Sequence, residues 1–355
     1  MEAEVVLEAE KLGKVFRTYR RKPGFRGMLA NFFRREYLEI RALVDIDLKI
    51  RRGEFVGLIG SNGAGKTTLV KLLTGIVAGS SGRSTVLGVP SFHLTDGQKR
   101  KLALVMGQRS QLWWDLPALD SFHLLAEIYE VPPARMLARA WSFAERLEVA
   151  DRLDVQLRHL SLGQRMKMEI IGAFVHEPEI VFLDEPTIGL DLVSRETIRQ
   201  FLIETNRREG ATVVLTSHDM EDIESTCRRL MILDAGRMLF DGDLVELQQR
   251  IVGERAIELH LEPGSRAWTP DLGAELAPFG ARLVRHGPLS IVFSVPASSA
   301  QRFVQHLFDL FQVRDLSVER VPLEDLVRDV FRARSLDVRG AAPVASVSSG
   351  AAPSP

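Results

Sequence analysis

Short, continuous apolar runs separated by polar or glycine-rich segments mark the N-terminal two thirds of the chain. Such runs have no solvent-facing side, which is typical of strands buried in a parallel sheet. Between them, residues 121–157 show the period of a helix, interrupted at Pro132-Pro133, and a further helix is expected to end near His176. The pattern predicts an α/β fold, with buried strands at 55–59, 102–106, 180–183 and 212–218.

The N-terminal segment has a different pattern. Residues 5–9 are expected to form an edge strand that continues over 12–16, and residues 42–50 alternate apolar and polar side chains as a further strand does. Between them, a basic insert at 17–41 contains eight arginine or lysine residues and two glutamates, a net charge of +6. Its apolar residues recur at helical spacing. This indicates either an amphipathic helix at an anionic membrane surface or a solvated helix packed on its own domain.

Beyond residue 250 the pattern predicts a second, smaller α/β unit over 254–335. We consider a dimerisation or regulatory role and a purely structural one equally compatible with it. The tail at 339–355 is rich in small residues and proline, and we expect it to be disordered. Strands are predicted in this unit at 256–261, 282–285, 290–295 and 313–318, and helices at 300–311 and 323–331.

Charge and cysteine content exclude several classes of protein. The 46 lysine and arginine residues balance 47 aspartate and glutamate residues, so bulk charge does not indicate a nucleic-acid partner. A single cysteine, Cys227, excludes an internal disulfide framework and a cysteine-based zinc site. The acidic N-terminus lacks the features of a secretory signal, and no apolar run approaches the ~20 residues of a membrane-spanning helix. We therefore expect a cytoplasmic chain, soluble or peripheral to a membrane.

A glycine-rich loop of the form G-x-x-x-x-G-K-[ST] follows the first buried strand and precedes a helix-compatible run. Its glycines let backbone N–H groups turn toward a polyphosphate, and the helix adds the positive end of its dipole. Lys66 can reach the β- and γ-phosphates, and the Thr67 hydroxyl can ligate Mg2+. Phe16 offers a flat face to a purine or is simple core, with Tyr19 as the competing aromatic. The loop residues expected to bind nucleotide are Gly60, Ser61, Asn62, Gly63, Ala64, Gly65, Lys66, Thr67 and Thr68.

Two further buried strands end in side chains suited to phosphate chemistry. Asp184 and Glu185 follow the strand at 180–183, where one carboxylate usually helps to hold Mg2+ and its neighbour can accept a proton from water. His218 is the last residue of the predicted strand at 212–218. Because the carboxyl ends of parallel strands meet at one edge of a sheet, we expect these three side chains to lie near the glycine-rich loop.

In this order the motifs resemble those of the nucleotide-binding subunits of ABC transporters, over about residues 5–248. The matching motifs are the Walker A loop at 60–68, the Q-loop at Gln108, the signature at 160–164, the Walker B strand at 180–185, the D-loop at 189–191 and the switch histidine His218. The resemblance implies a P-loop ATPase fold with a RecA-like core, an antiparallel β subdomain and an α-helical signature subdomain at 121–176. The nucleotide-binding domain would then cover 1–248, and the unit at 254–335 would be a small α/β appendage.

Head-to-tail pairing of two subunits is also implied by the resemblance. Each ATP would lie between the Walker A loop of one subunit and the signature of the other, where Ser161, Gly163 and Gln164 would contact the γ-phosphate. Leu162 stands where the usual signature has its first glycine, a departure from the family pattern. Asp191 would couple the two sites.

Hydrolysis, on the same resemblance, would use Glu185 as the general base and His218 to hold the γ-phosphate and the attacking water. Gln108 would sense Mg2+ and water on one side and the membrane subunit on the other. Mg2+ would be held by Thr67, Asp184 and Gln108, and the substrate and cofactor are ATP and Mg2+. One complete motif set per chain implies a homodimer or a pairing with a separate chain.

The subgroup resembles bacterial exporter ATPases of the daunorubicin-resistance and viologen-exporter kind, which work with separate integral-membrane permeases. Trp113 and Trp114 lie where such proteins receive a permease helix, although they could instead pack internally. The expected location is the cytoplasmic face of the bacterial membrane, with no nucleic-acid partner. Two alternatives remain: an importer ATPase with a C-terminal regulatory domain, and a soluble ABC ATPase acting on ribosomes or nucleic acid.

Overall fold

A computed structural model describes residues 4–19, 37–107, 110–249, 254–266, 268–320 and 327 of the chain. The chain divides into two compact units, the first ending at Leu247 and the second starting at Gln248. In the part of the chain that the structure describes, no helix is long and apolar enough to span a bilayer. The predictions for Gln108, for residues 20–36 of the basic insert, for most of the helix at 323–331 and for the tail lie outside the described residues.

A six-stranded sheet in the order β10-β9-β3-β8-β7-β6 forms the centre of the first unit. The five strands from β9 to β6 are parallel, and β10 pairs with β9 as an antiparallel hairpin at one edge. The predicted buried runs are its central strands, and most of their side chains are buried on both faces. The α/β prediction is therefore confirmed. The strands are β3 (Phe55–Gly60), β6 (Leu102–Met106), β7 (Ile180–Asp184), β8 (Thr212–Thr216), β9 (Arg229–Asp234) and β10 (Arg237–Asp243).

An antiparallel sheet in the order β2-β1-β4-β5 forms a second layer of this unit. Its strands are β1 (Val5–Tyr19), β2 (Tyr37–Arg51), β4 (Ser81–Val86) and β5 (Val89–Pro90). The prediction that the first strand lies at an edge was wrong, because β1 pairs with β2 on one side and with β4 on the other. The β1–β2 pairing extends to Tyr19 and Tyr37. Residues 17–19 and 37–41 of the basic insert are therefore strand and not helix.

Helices of the first unit connect and cover the parallel sheet. α1 (Lys66–Leu73) and α2 (Asp96–Lys99) follow β3 and precede β6, and the helical segment contains α3 (Ala118–Tyr129), α4 (Pro133–Arg146) and α5 (Leu162–Phe174). Pro133 occupies the first turn of α4, where its missing N–H costs nothing. Only short 3-10 turns lie between α4 and α5, at Ala150–Arg152 and Leu157–His159. Helical periodicity therefore overestimated the helix there. The remaining helices are α6 (Leu192–Glu209), α7 (Met220–Thr226) and α8 (Leu244–Gln249).

The second unit has an antiparallel sheet in the order β12-β13-β11-β14. Its strands are β11 (Glu254–Leu261), β12 (Arg282–His286), β13 (Ser290–Pro296) and β14 (Val313–Arg320), and its helices are α9 (Pro270–Leu276) and α10 (Ala297–Leu310). The core of this unit comprises Ile257 and Leu259 of β11, Phe293 of β13, and Phe303 and Leu307 of α10. The sequence pattern did not predict α9.

Candidate nucleotide-binding site

The loop between β3 and α1 adopts a backbone that glycine takes most easily. Gly63 and Gly65 have φ values of 81° and 109°, in the left-handed region. A Cβ atom on Gly60 would lie 2.3 Å from the carbonyl oxygen of Leu233, and one on Gly65 would lie 2.7 Å from that of Ala42. The glycines of the motif are therefore required both by conformation and by close packing.

Lys66 starts α1, and its side chain turns back over the loop. The Nζ atom donates a hydrogen bond of 2.7 Å to the carbonyl oxygen of Gly60, and the residue is only 7% exposed. Ser61 is held on the other side, since its hydroxyl donates to Asp234 at 3.0 Å. The first N–H groups of a helix have no intrahelical partners, so the loop combines a lysine ammonium with backbone donors for an anion.

Asp184 connects the loop helix with two neighbouring strands of the sheet. Its Oδ2 accepts a hydrogen bond of 2.9 Å from the Thr67 hydroxyl, and its Oδ1 accepts one of 2.5 Å from the Thr216 hydroxyl. The hydroxyl and carboxylate oxygens of Thr67 and Asp184 thus lie together, as the sequence predicted. Such hard oxygen ligands are those that Mg2+ prefers, so these residues fit that ion.

Glu185 follows Asp184 in a strained backbone conformation. Its φ is 54°, which is uncommon for a residue with a side chain. The backbone N–H donates to both the carbonyl and the hydroxyl oxygen of Thr216, each at 3.1 Å. A Cβ atom on Gly107 would lie 2.4 Å from the carbonyl oxygen of Glu185, so the close approach of Gly107 also fixes this turn. The surrounding contacts therefore maintain the strain.

The side chains of Glu185 and His218 meet at this edge of the sheet. Oε2 of Glu185 lies 3.4 Å from Nδ1 of His218, and the histidine side chain is 56% exposed. β8 ends at Thr216, so His218 lies in the loop beyond the strand and not on the strand itself. The structure thus brings Glu185, His218 and Asp184 to the carboxyl edge of the sheet, next to the helix that carries Thr67.

A buried aspartate that sequence reasoning missed lies behind this loop. Asp222 is 1% exposed and accepts hydrogen bonds from Arg199 at 2.6 Å, from the Ser217 hydroxyl at 3.2 Å and from the Thr187 hydroxyl. Ser217 precedes His218, and Thr187 follows Glu185 by two positions. Asp222 therefore connects the segments that carry both side chains. Asp222 lies in a short helix, and the local sequence pattern gave no signal that its side chain is buried.

The signature segment begins α5 and packs against the start of α6. Ser161 caps α5, since its hydroxyl accepts a hydrogen bond from the Gln164 N–H at 3.2 Å and Gln164 Oε1 accepts one from the Ser161 N–H at 3.0 Å. A Cβ atom on Gly163 would lie 2.4 Å from the Ser194 hydroxyl oxygen. Leu162 is 44% exposed. Gly163 therefore packs against α6, Ser161 and Gln164 bind each other at the start of α5, and none of these contacts reaches the loop at 60–68.

Asp191 caps α6 beside this contact. Its carboxylate accepts hydrogen bonds from the N–H of Ser194 at 2.9 Å and from the Ser194 hydroxyl at 2.7 Å. These bonds, the backbone one first, hold the pKa of Asp191 below its usual value. Ser194 therefore lies between Asp191 and Gly163, two residues that the sequence assigned to a shared interface.

Aromatic candidates differ in what the structure shows of them. The ring of Phe16 is 41% exposed on β1, with the Lys14 ammonium 5.1 Å from its centre, so Phe16 is not a core residue. The side chain of Tyr19 lies outside the described ones. Trp113 and Trp114 are 41% and 52% exposed, and the Arg165 guanidinium stacks on Trp114 at 4.8 Å. The two tryptophans are thus surface residues, and Trp114 lies beside α5.

Glu169 of α5 is a second residue that sequence reasoning missed. It is 7% exposed and accepts hydrogen bonds from the Ser110 hydroxyl and from the N–H of Gln111 at 3.1 Å. Burial raises its pKa above the ordinary glutamate value, although these hydrogen bonds oppose the shift. The carboxylate therefore attaches residues 110–111, which follow Gln108 in sequence, to the signature helix.

A glycine loop around a lysine, joined through Thr67 and Asp184 to the edge that carries Glu185 and His218, defines a P-loop nucleotide-binding protein. Comparison with known proteins extends this class. Residues 43–188 match the family model described as ABC transporter. The chain is 31% identical to a Nod factor export ATP-binding protein of Cupriavidus metallidurans, over 64% of this chain and 75% of that protein.

Two further relatives and a solved structure agree with this match. A daunorubicin resistance ATP-binding protein of Streptomyces coeruleorubidus is 31% identical, over 68% of this chain and 74% of its own length. A methionine import ATP-binding protein of Geobacillus kaustophilus is 30% identical, over 63% and 67%. A dimeric ATP-binding cassette solved with ADP and Pi has a TM-score of 0.56 at 25% identity, over 67% of this chain and 98% of that one. The chain belongs to the ABC transporter family as an ATP-binding, ATP-hydrolysing subunit, and the predictions of this family and of an ATPase are confirmed.

Proposed function

We propose that this subunit powers export across the cytoplasmic membrane through separate permease subunits. The observation that carries the proposal is a complete ATPase edge, with Asp184, Glu185 and His218 in one chain, in a protein similar to relatives named for Nod factor export and daunorubicin resistance. The substrate contacts of such a transporter would belong to the permease.

Each residue at this edge has a chemical role in the proposal. Lys66 and the loop N–H groups bind the phosphates of ATP. Glu185 accepts a proton from the attacking water, and His218, at 3.4 Å, orients that water and the γ-phosphate. Thr67 and Asp184 would hold Mg2+, with Gln108 as a further ligand, and the ion supplies positive charge that offsets the phosphate oxygens. The fixed backbone at Glu185 keeps the base in place before ATP arrives.

The signature acts, in this proposal, on the ATP of a second subunit. Ser161, Gly163 and Gln164 stand at the start of α5, where Ser161 is exposed and Gly163 is buried, and where backbone donors and the helix dipole favour a phosphate. The close packing of Gly163 on Ser194, which donates to Asp191, makes the signature and the D-loop one structural element. Two copies paired head to tail would complete two sites, with the adenine of each ATP stacked on Phe16.

Two surfaces are proposed to face the membrane. Trp113 and Trp114, both exposed, would receive a helix of the permease. The basic insert at 17–41 would contact anionic lipid through its net charge of +6. To test the lipid contact, Arg20 and Arg21 are changed to glutamate, with Arg207 and Arg208 changed to glutamate as a control that reverses the same number of charges. Unchanged binding of the insert variant to anionic vesicles contradicts the lipid contact.

Purification from native membranes in mild detergent tests the main proposal. Copurification of multispan proteins that lack an ATPase domain supports a transporter subunit, and its absence contradicts it. The direction is measured in inverted vesicles that contain the copurified permease and this subunit. ATP-dependent accumulation of the substrate inside such vesicles supports export.

Import is the second candidate, favoured by the similarity to the methionine import protein. In that case the unit at 254–335 would be regulatory. Loss of substrate from loaded inverted vesicles on addition of ATP would support import. Because both directions use the same ATPase edge, variants of Glu185 cannot separate them, and the transport assay decides.

A further inference from the structure

Arg195 on the first turns of α6 connects the two loops that carry Asp191 and His218. Its Nε atom donates a hydrogen bond of 3.1 Å to the carbonyl oxygen of Leu190, and its Nη1 atom lies 2.6 Å from Oδ2 of Asp219. Leu190 directly precedes Asp191, and Asp219 directly follows His218. One planar guanidinium therefore spans the neighbours of both residues.

The other end of the histidine loop is held one helical turn further along α6. Arg199, four residues after Arg195, pairs with the buried Asp222, and Asp222 accepts a hydrogen bond from Ser217. Arg199 and Asp222 are 3% and 1% exposed, whereas Arg195 and Asp219 are each 28% exposed. The buried pair forms a fixed support, and the partly exposed pair is the contact that can respond to a change in the D-loop.

Asp219 has separate partners for its two carboxylate oxygens. Oδ1 accepts from the N–H of Glu221 and caps α7, while Oδ2 contacts Arg195. The Asp219 N–H also donates to the Ser217 hydroxyl at 3.0 Å. The loop at 217–219 is therefore fixed locally by the cap and by Ser217. Oδ2 gives its C-terminal end a direct contact with α6, separate from the one that runs through Asp222 and Arg199.

The opposite side of the same helix start contacts the signature. Gly163 packs on Ser194, the residue before Arg195, and Ser194 donates to Asp191. In a head-to-tail dimer, the signature and D-loop of a subunit contact the ATP of the partner site, whereas His218 contacts its own ATP. Within one chain, the start of α6 thus connects the signature and the D-loop, which contact the partner site, with the loop that carries His218.

We propose that Arg195 is a positioning residue that transmits the state of the D-loop to His218. In this role the residue would act without touching ATP or the attacking water: it holds the loop at 217–219 so that the imidazole faces Glu185. Communication between two ATP sites requires the proposed head-to-tail dimer, so this inference rests on that proposal. The contacts of Arg195 with Leu190 and Asp219 lie within one chain.

Kinetics of the full-length protein test the proposal. Arg195→Lys retains the charge facing Asp219 but replaces the two-sided guanidinium with a single ammonium, and Asp219→Asn retains a cap for α7 without the ionic contact. We expect kcat for ATP to fall about tenfold in both variants, with KM changed by less than about twofold, because Lys66 and the loop are untouched. Arg208→Ala is the matched control on the exposed end of the same helix.

Two outcomes overturn the proposal. Wild-type kcat in Arg195→Lys would show that charge alone suffices and that the bridge to Leu190 is irrelevant. A fall in kcat that is matched by a rise in KM and a fall in Tm would indicate a general structural role.

A second measurement separates this inference from the dimer that it rests on. In a Glu185→Gln background, ATP should produce a dimer in size-exclusion chromatography. This should hold both with the native Arg195 and with the added substitution Arg195→Lys. If Glu185→Gln alone forms no dimer, the proposed head-to-tail assembly fails, and the kinetic comparison still decides the role of Arg195.

Discussion

Glu185 faces His218 across 3.4 Å, from Oε2 to Nδ1, while its own backbone is held by Thr216. We expect Glu185→Gln to lower ATP turnover by at least about a hundredfold, because an amide cannot accept the proton of the attacking water. ATP affinity should persist, since the loop at 60–68 is unchanged. Turnover and equilibrium binding of ATP measure the two effects. Glu145→Gln, on an exposed face of α4, is the control, and near wild-type turnover by Glu185→Gln would refute its role as base.

Lys66 is the buried cation of the phosphate loop. Lys66→Ala should weaken ATP binding by roughly ten- to a hundredfold, because charge-assisted hydrogen bonds to phosphate are worth about 1.5–3 kcal/mol. Calorimetric titration with ATP measures this. Lys71→Ala, in the last turn of the same helix, should bind as the wild type does. Tight binding by Lys66→Ala would contradict the proposed phosphate cradle.

Phe16 presents an exposed ring on β1, close to Lys14. Phe16→Ala should weaken ATP binding about fivefold through loss of stacking on the adenine, and Phe16→Tyr should retain it. The free energy of unfolding should change little, since the ring is 41% exposed. Leu38→Ala, another exposed apolar change on the paired strand β2, is the control. Equal affinities of Phe16→Ala and the wild type for ATP would exclude the stacking role.

His176 lies against Tyr129 with ring centres 3.7 Å apart, and it contacts the carbonyl oxygen of Leu102 at 3.2 Å. Burial lowers its pKa from 6.5 to about 4. The unfolded chain binds this proton below pH 6.5 and the folded chain only near pH 4. The contribution of His176 to the free energy of unfolding should therefore be fully present at pH 7. It should be lost as the pH falls from 6.5 to about 4, by up to about 3 kcal/mol. Denaturant unfolding at several pH values measures this, with His176→Gln as the comparison. An identical pH slope in that variant would show that His176 does not contribute.

Glu169 attaches residues 110–111 to the signature helix. Glu169→Ala should lower the free energy of unfolding by about 2 kcal/mol, because buried N–H groups lose their acceptor. Glu169→Gln retains an acceptor oxygen and should lose less. Chemical denaturation of both variants measures the difference. Equal stability of Glu169→Ala and the wild type would show that these hydrogen bonds have no net effect.

The phosphate loop and the strands of the parallel sheet could be predicted because their signals are local. A glycine spacing sets the loop geometry, and a continuous apolar run of five residues fits a strand that is covered on both faces. The meeting of Asp184, Glu185 and His218 followed from the rule that parallel strands end at one edge. The roles of these residues stay predictions until the variants are measured.

Features that depend on distant pairing could not be predicted in this way. β1 was expected at an edge because nothing in residues 5–16 specifies its second partner, β4, some seventy residues away. The burial of Asp222 and Glu169 depends on Arg199 and Ser110, each remote in sequence. A charged residue in a helix is usually solvated, so these two positions had no distinguishing local pattern.

At Glu185 the residue that suits the left-handed backbone best differs from the residue that ATP hydrolysis requires. The fold would accept glycine there at lower conformational cost, by about 1 kcal/mol, yet glycine would remove the carboxylate. Selection for a more stable chain and selection for a faster ATPase therefore act on this position in opposite directions. Where selection for stability is the stronger, the expected result is a variant at this position with slower ATP hydrolysis and a higher Tm.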